Sequence, residues 1–225
     1  GFDHNEQTFR IVTLLERRYA AFDGLNLTWE TLEGVVKHNG PLTGPHASAK
    51  AQARPVPQTI SRYCEDWDLE LGGFAGPEAQ VAAISDDIAY NNHDIDDGLR
   101  AGLFTLADLK DVPLAGPVIA DVSARYPGLE LPRLIHESIR RMINLMVRDV
   151  VSESTRRLAG IKSVADVRAQ SAPVIAFSDA MRANDRALKE FLFARMYRHH
   201  RVNQMTMKAK RVVSELFDLH LEQPQ

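Results

Sequence analysis

The chain is poor in sulfur and in long apolar runs: it has one cysteine, Cys64, among 225 residues, and each apolar stretch is broken within a few positions. A membrane-spanning helix needs roughly 18 or more consecutive apolar residues, so a helical membrane span is excluded. A lone thiol cannot build a disulfide framework or a thiolate zinc cluster. It fits a reducing, cytoplasmic setting. Neither sign of charge dominates either. With 27 Lys and Arg against 30 Asp and Glu, the net charge of -3 provides no basic field to draw nucleic acid. The 44% hydrophobic content excludes an acidic disordered chain. The opening Gly1-Phe2-Asp3-His4 carries no initiator Met and none of the basic or apolar segments of a secretory signal. The last residues, Leu221 to Gln225, carry no capping motif. The expectation is a piece of a longer protein.

What is present is helical periodicity. Phe9, Val12, Leu15 and Tyr19 fall on one side of a first helix, expected to end at Asp23-Gly24. Thr28 is a plausible N-cap for a second, carrying Thr31, Leu32, Val35 and Val36 and stopped by Gly40-Pro41. Residues 40–58, with four Pro and two Gly, read as a long surface loop. Pro77 is well placed to start a helix, predicted to reach about Lys110 with a break near Gly98 or Gly102. Residues 131–159 hold the longest helical pattern, and two further helices are expected at Met181–Met196 and Val202–Phe217. No period-2 run bounded by hairpin turns, no internal repeat and no glycine-rich phosphate loop occurs. The fold expected is all-α, a single helical domain, with a helical core over about 1–160 and C-terminal helices over about 161–225.

The densest polar cluster runs from Ser85 to Asp97. At about 100° per residue, Asp86, Tyr90, His93 and Asp97 share an arc of roughly 60°, with Asp94 at its edge. Val81, Ile84, Ile88, Ile95 and Leu99 lie opposite. Carboxylate oxygen and imidazole nitrogen suit divalent metals. A plain solvated face gives the same stripe. The abundance of Asn and Asp between 86 and 94 favours a site, because both are poor interior helix formers. His4 and Gln7, one turn apart, could contact a ligand or simply be exposed. His38 near the Gly-Pro break could only complement a helix dipole. Arg140-Arg141 could clamp a phosphate or snorkel. Tyr197-Arg198-His199-His200-Arg201 could bind an anion or form a solvated junction. Cys64 has no base in its local segment.

Several stretches resemble, in order, the bacterial deoxyguanosinetriphosphate triphosphohydrolase-like proteins of the HD-domain superfamily. They are Phe2-Asp3-His4-Asn5-Glu6-Gln7-Thr8-Phe9-Arg10-Ile11-Val12, Gly24 to Gly34 running into Lys37-His38-Asn39-Gly40-Pro41, the Asp86–Asp97 cluster, and Tyr197-Arg198-His199. The resemblance implies an all-α enzyme that hydrolyses a deoxynucleoside triphosphate to the deoxynucleoside and inorganic triphosphate. It implies a divalent metal, Mg²⁺ or Mn²⁺, held by a histidine, an adjacent His-Asp pair and a later aspartate. On that pattern Asp86 is the fourth metal ligand, and Tyr90 and Asp94 face the deoxyribose. His4 lies close to the substrate phosphates, with Asp87 and Arg141 assigned to phosphate binding. Such a metal polarises a phosphoryl oxygen and acidifies bound water.

The family's first histidine and its His-Asp pair lie upstream of the Phe-Asp-His stretch, so the remaining ligands are expected before Gly1. The segment alone is expected to be inactive, because one carboxylate does not hold a divalent ion tightly. The resemblance also implies a homo-oligomer, no membrane association, and nucleic acid only as an effector. Two other readings stand beside it: another HD-type nucleotide phosphohydrolase, and a non-catalytic nucleotide-binding or oligomerisation module.

Overall fold

The computed structural model describes residues 3–223; Gly1 and Phe2 of the first motif, with Pro224 and Gln225, lie outside the described residues. All regular structure among the described residues is helical, as the periodicity predicts. In order it comprises α1 (His4–Arg10), a π-helical turn (Ile11–Leu15), α2 (Trp29–Lys37), α3 (Ala49–Gln52), α4 (Gln58–Asp66) and α5 (Pro77–Arg100). A 3-10 turn (Leu106–Leu109) leads to α6 (Ala115–Arg125), α7 (Leu131–Arg157), α8 (Val164–Arg168) and α9 (Asp179–Leu192). A second π turn (Phe193–Tyr197) precedes α10 (His200–Glu222). The chain forms two compact units, one of residues up to Asp87 with Arg148–Ser178, the other of Ile88–Val147 with residues from Asp179 onward. The long helices α5 and α7 each give one part to each unit.

In the first unit, caps and apolar spacing set the helices. The Asp3 carboxylate accepts from the backbone N–H groups of Asn5 and Glu6, both at 3.0 Å, and starts α1. Thr28 caps α2 as expected, accepting from Thr31 N–H. Leu32 and Val36, one turn apart, pack with Phe9 of α1, Ile60 of α4 and Leu69 into a buried core. Phe9 meets Tyr63 edge to face at 5.1 Å between ring centroids. Gly34 lets α2 close on α5, since a Cβ there would lie 3.1 Å from that of Ala79.

The first helix stops earlier than its apolar spacing suggests. After Arg10 the backbone widens into the π turn, and regular winding ends at Leu15. Gly24, with φ +73°, then brings the chain back: its N–H donates to the Glu16 carbonyl at 2.7 Å, and Leu25 N–H to that of Val12 at 2.8 Å. A Cβ at Gly24 would stand 2.5 Å from the Thr13 carbonyl oxygen. Tyr19 therefore lies outside any helix, exposed beside Phe22 at 4.8 Å. The loop over 40–58 is broken only by the single turn of α3.

The second unit packs Ile95, Leu109, Val122, Met142, Met146, Leu188 and Leu192. Its stretch of α5 buries Ile88 and Ile95 as expected, and Asn91 and Asn92 with them. Asn91 Nδ2 donates to Asp185 Oδ1 at 2.7 Å, and Asn92 Nδ2 to the Ile88 carbonyl at 2.7 Å. Two of the asparagines that mark this helix as unusual thus serve packing. Val81, expected on the packed face, is 47% exposed. Helix α5 ends at Arg100, and Gly102 follows with φ +62°, where a break is expected.

Gly98 lets the ring of Phe104 close onto α5 in this unit. A Cβ there would lie 2.2 Å from Phe104 Cε1, and Phe104 is itself buried edge-on against Phe191. Ala is favoured over Gly in a helix by about 1 kcal/mol, but overpacking a core costs about 1–3 kcal/mol. With the ring wedged in place, overpacking wins. Gly98→Ala is expected to lower the unfolding free energy by up to about 2 kcal/mol, read from urea denaturation; a stabilised variant would show that Phe104 can move aside.

Candidate functional site

The first unit contains a cleft of about 850 Å³. Its walls come from the start of α1 (His4, Asn5, Thr8), α2 and its C-cap (Glu30, Glu33, His38), the first three turns of α5 (Glu78, Asp86) and Arg168 at the end of α8. His4 and Asp86, drawn from separate motifs, are both exposed residues that line this one cavity. Asp87 follows on the exposed side of α5.

The inner wall is built on a buried charge. Glu33 is only 1% exposed. Arg168 grips it in bidentate fashion, Nε to Oε1 at 2.8 Å and Nη2 to Oε2 at 2.7 Å. Lys37, one turn along α2 and equally buried, lies 3.0 Å from Glu33 and donates to the Glu70 carbonyl at 2.9 Å. Burial pushes the Glu33 carboxyl upward, but the hydrogen bonds and charges of Arg168 and Lys37 outweigh it and hold the group below its ordinary value. The Arg168 guanidinium also lies over the Trp29 ring, 4.7 Å from its centroid, and Trp29 Nε1 donates to the Asp68 carbonyl at 2.8 Å.

Four carboxylates line the cleft, Glu30, Glu33, Glu78 and Asp86, against the single guanidinium of Arg168. A polyphosphate entering such a wall needs added cations. The chain's own residues do not form a metal centre: no group of three His, Cys, Asp or Glu that could hold an ion occurs among the described residues. His38 is committed to the C-terminus of α2, with Nδ1 3.2 Å and 3.1 Å from the carbonyl oxygens of Gly34 and Val35. Asn39 Nδ2 lies 2.8 Å from its Nε2. Gln7 accepts from Arg10.

The other anticipated residues belong to the second unit. Tyr90 is 60% exposed, one turn after Asp86 on α5. Asp94 is half-buried and accepts a hydrogen bond from the Tyr197 hydroxyl. Burial, that bond, and the nearby Asp94 and Tyr90 raise the Tyr197 phenol far above its ordinary value. His93 and Asp97 are exposed. Arg141 is held by carboxylates: Nε donates to Glu137 at 2.8 Å, and Nη1 to Asp121. Arg140 forks onto the same Glu137, and the two arginines lower that carboxyl to about 2. Cys64, back in the first unit, is half-buried among apolar neighbours of its core.

Glu33, Lys37 and Arg168 are the residues that sequence reasoning missed. One signal existed: Glu33 and Lys37 are an i,i+4 pair sitting beside Leu32 and Val36, on the apolar side of α2. Nothing local marks Arg168 as their partner.

Comparison with known proteins extends the resemblance over the whole chain. It is 59% identical over 221 residues to a deoxyguanosinetriphosphate triphosphohydrolase-like protein of Parvibaculum lavamentivorans, covering 97% of this chain and 55% of that protein. It is 56% identical to one of that name from Azorhizobium caulinodans, over 100% of this chain and 57% of the relative. A third, from Caulobacter vibrioides, is 53% identical over 100% of this chain and 56% of the relative. The chain thus spans about half the length of the curated relatives it matches. Residues 175–225 match the family model described as a phosphohydrolase-associated domain, and this chain is a homologue of these proteins.

Removing a partner from a buried ion pair strands the remaining charge and costs about 3–5 kcal/mol. Glu33→Gln, which leaves Lys37 buried beside a neutral amide, is expected to cost that much at pH 7 in urea denaturation. Because the folded-state value of Glu33 is lowered, its contribution is complete above its ordinary value of 4.5 and is lost as pH falls through the folded value. The gap between wild type and variant should therefore close on acidification; a gap independent of pH down to acid unfolding would contradict the ion-pair account.

Proposed function

We propose that this chain is part of a deoxynucleoside triphosphate triphosphohydrolase, a phosphohydrolase releasing the deoxynucleoside and inorganic triphosphate. Its first-unit cleft receives the phosphates. The observation that carries the reading is that His4 and Asp86 line one cavity. The resemblance assigns those two residues to the phosphates and to the metal. The names of the full-length relatives and the phosphohydrolase-associated match support the same chemistry.

The cleft's chemistry supports roles for His4 and Asp86, and the resemblance supplies those of the other residues. His4 stands at its rim, where a ring N–H can donate to a phosphate oxygen. Asp86 would supply one carboxylate to Mg²⁺ or Mn²⁺, and the acidic wall favours phosphates that arrive with a divalent ion. No group of three His, Cys, Asp or Glu that could hold the ion occurs among the described residues. By the resemblance, Tyr90, a turn further along α5, faces the deoxyribose and Asp94 accepts from a sugar hydroxyl. Asp87 and Arg141 are the looser assignments, Arg141 because two of its three guanidinium nitrogens already face carboxylates.

The test uses the full-length protein with dGTP and Mn²⁺, the products being separated by ion exchange. Asp86→Ala and His4→Ala should each lower turnover by about a hundredfold or more, with helix content unchanged, and the 225-residue chain alone should release no triphosphate. Orthophosphate or pyrophosphate as the first product would move the protein to another kind of nucleotide phosphohydrolase.

Sugar selectivity gives a separate reading. Burying an unpaired 2′-hydroxyl against a ring costs about 1–3 kcal/mol, a preference of roughly ten- to a hundredfold. Tyr90→Ala should narrow the dGTP-to-GTP ratio of kcat/KM, mostly by admitting GTP, whereas Asp94→Asn should lower both together. An unchanged ratio in Tyr90→Ala would return that side chain to the solvated face of α5.

A further inference from the structure

Helix α10 is the longest element with no buried residue. Only Val202 is even half-buried; from Asn203 to Gln223 every residue is exposed. Yet the helix is not polar. Val202, Met205, Ala209, Val212, Leu216 and Leu219 repeat at alternating steps of three and four, the a and d positions of a heptad. Met205 is 65% exposed, Val212 41%, Leu216 50% and Leu219 48%. Val213 and Phe217 widen the seam on one side. The stripe from Val202 to Leu219 is about 27 Å long at 1.5 Å per residue.

The charges along α10 decide what fits this stripe. Arg201, Lys208, Lys210 and Arg211 occupy its first half, and Glu215, Asp218 and Glu222 its second. A helix on its own prefers the reverse, with acids at the N-terminus and bases at the C-terminus. A second copy of the same helix running antiparallel removes the conflict, since the basic half of each then lies along the acidic half of the other.

The register agrees in detail. With Val202 at position a, the g positions are Arg201, Lys208, Glu215 and Glu222. In an antiparallel pair g faces g. Packing the a layers of one helix against the d layers of the other, Val202 on Leu219, Met205 on Leu216 and Ala209 on Val212, sets Lys208 opposite Glu215 and Arg201 opposite Glu222. A parallel pair would instead set Lys208 near Val213 and Glu215 near His220, with no complementary pair of fixed charges. Arg201 Nη1 donates to the Ala101 carbonyl at 3.2 Å, so Lys208 and Glu215 are the cleaner probe. Glu215 has an exposed neighbour on its own helix, Arg211 at 3.2 Å. Such surface pairs contribute little and yield readily to a better partner.

We infer that α10 pairs with α10 of a second copy of this chain as an antiparallel coiled coil, Lys208 and Glu215 setting the orientation.

The experiment is sedimentation velocity on the 225-residue chain over a concentration series reaching the order of 100 µM, with circular dichroism recorded alongside. Lys208→Glu places like charges opposite each other twice per dimer, and it should weaken association by about tenfold or more. Adding Glu215→Lys to it restores both pairs only in the antiparallel arrangement and should bring association back near wild type. Leu216→Glu, which puts charge into the seam, should leave the chain monomeric with its helix content kept. A wild-type chain that stays monomeric throughout would overturn the inference. So would Lys208→Glu that associates like wild type, or a double variant no stronger than the single one.

Discussion

Glu33 is carried out of water in the middle of α2 and persists there as an anion only because two cations are brought to it. Lys37 comes with the helix, one turn on. Arg168 comes from the far side of the sequence and is fixed from three directions, by both carboxylate oxygens and by the face of Trp29. A buried ion of this kind is costly unless its geometry is complete, so the arrangement specifies where α8 lies against α2. The inner wall of the cleft is thereby set before anything enters it. His4 and Asp86 stand at the exposed edge, where they are open to a ligand without carrying the packing. The division is physically sensible: the charge that organises the unit is sequestered, and the charges assigned to chemistry are left in solvent.

Helix α5 shows the same separation along a single element. Its polar run looks uniform in sequence, yet its members do different things. Asn91 and Asn92 turn inward, Asn91 donating to Asp185 and Asn92 to the Ile88 carbonyl. Asp86 and Tyr90 stay outward. Asp94 lies between these cases, half-buried and engaged by Tyr197. A ligand hydroxyl seeking Asp94 therefore competes with a phenol already there, or joins it at the carboxylate's second oxygen.

The legible part of the sequence was the part governed by local rules. Thr28 capped α2, Pro77 opened α5, Gly102 followed its end, and the apolar stripe of α7 held from Leu131 to Arg157. Helix α6 was missed because its start has no side-chain cap, follows Leu114 with φ +70°, and carries Gly116 and Pro117 in its first turn. Gly116 is there because a Cβ would meet the Lys110 carbonyl oxygen at 2.0 Å, a constraint set by the preceding turn. Helix α8, of 5 residues, is too short to show a period, and α4, as long as α2, starts without a side-chain cap. In the cleft, the outward residues His4 and Asp86 were readable from motifs. The Glu33–Arg168 pair was not, because only the tertiary fold brings its halves together.

The two π turns have a consequence for how this sequence can vary. Each accommodates one more residue per turn than the ordinary helix around it, closing i to i+5 instead of i to i+4. Phe193–Tyr197 follows α9 directly and ends at the tyrosine that reaches Asp94. Loss of one residue between Phe193 and Tyr197 would let the backbone close i to i+4 and return to regular winding, with little change in helix content. Because either closure completes a single turn, the residues beyond would keep their place around the axis. Elsewhere in a helix the same deletion would rotate everything after it by about 100°. The wide turn is therefore where this chain can change length without changing phase.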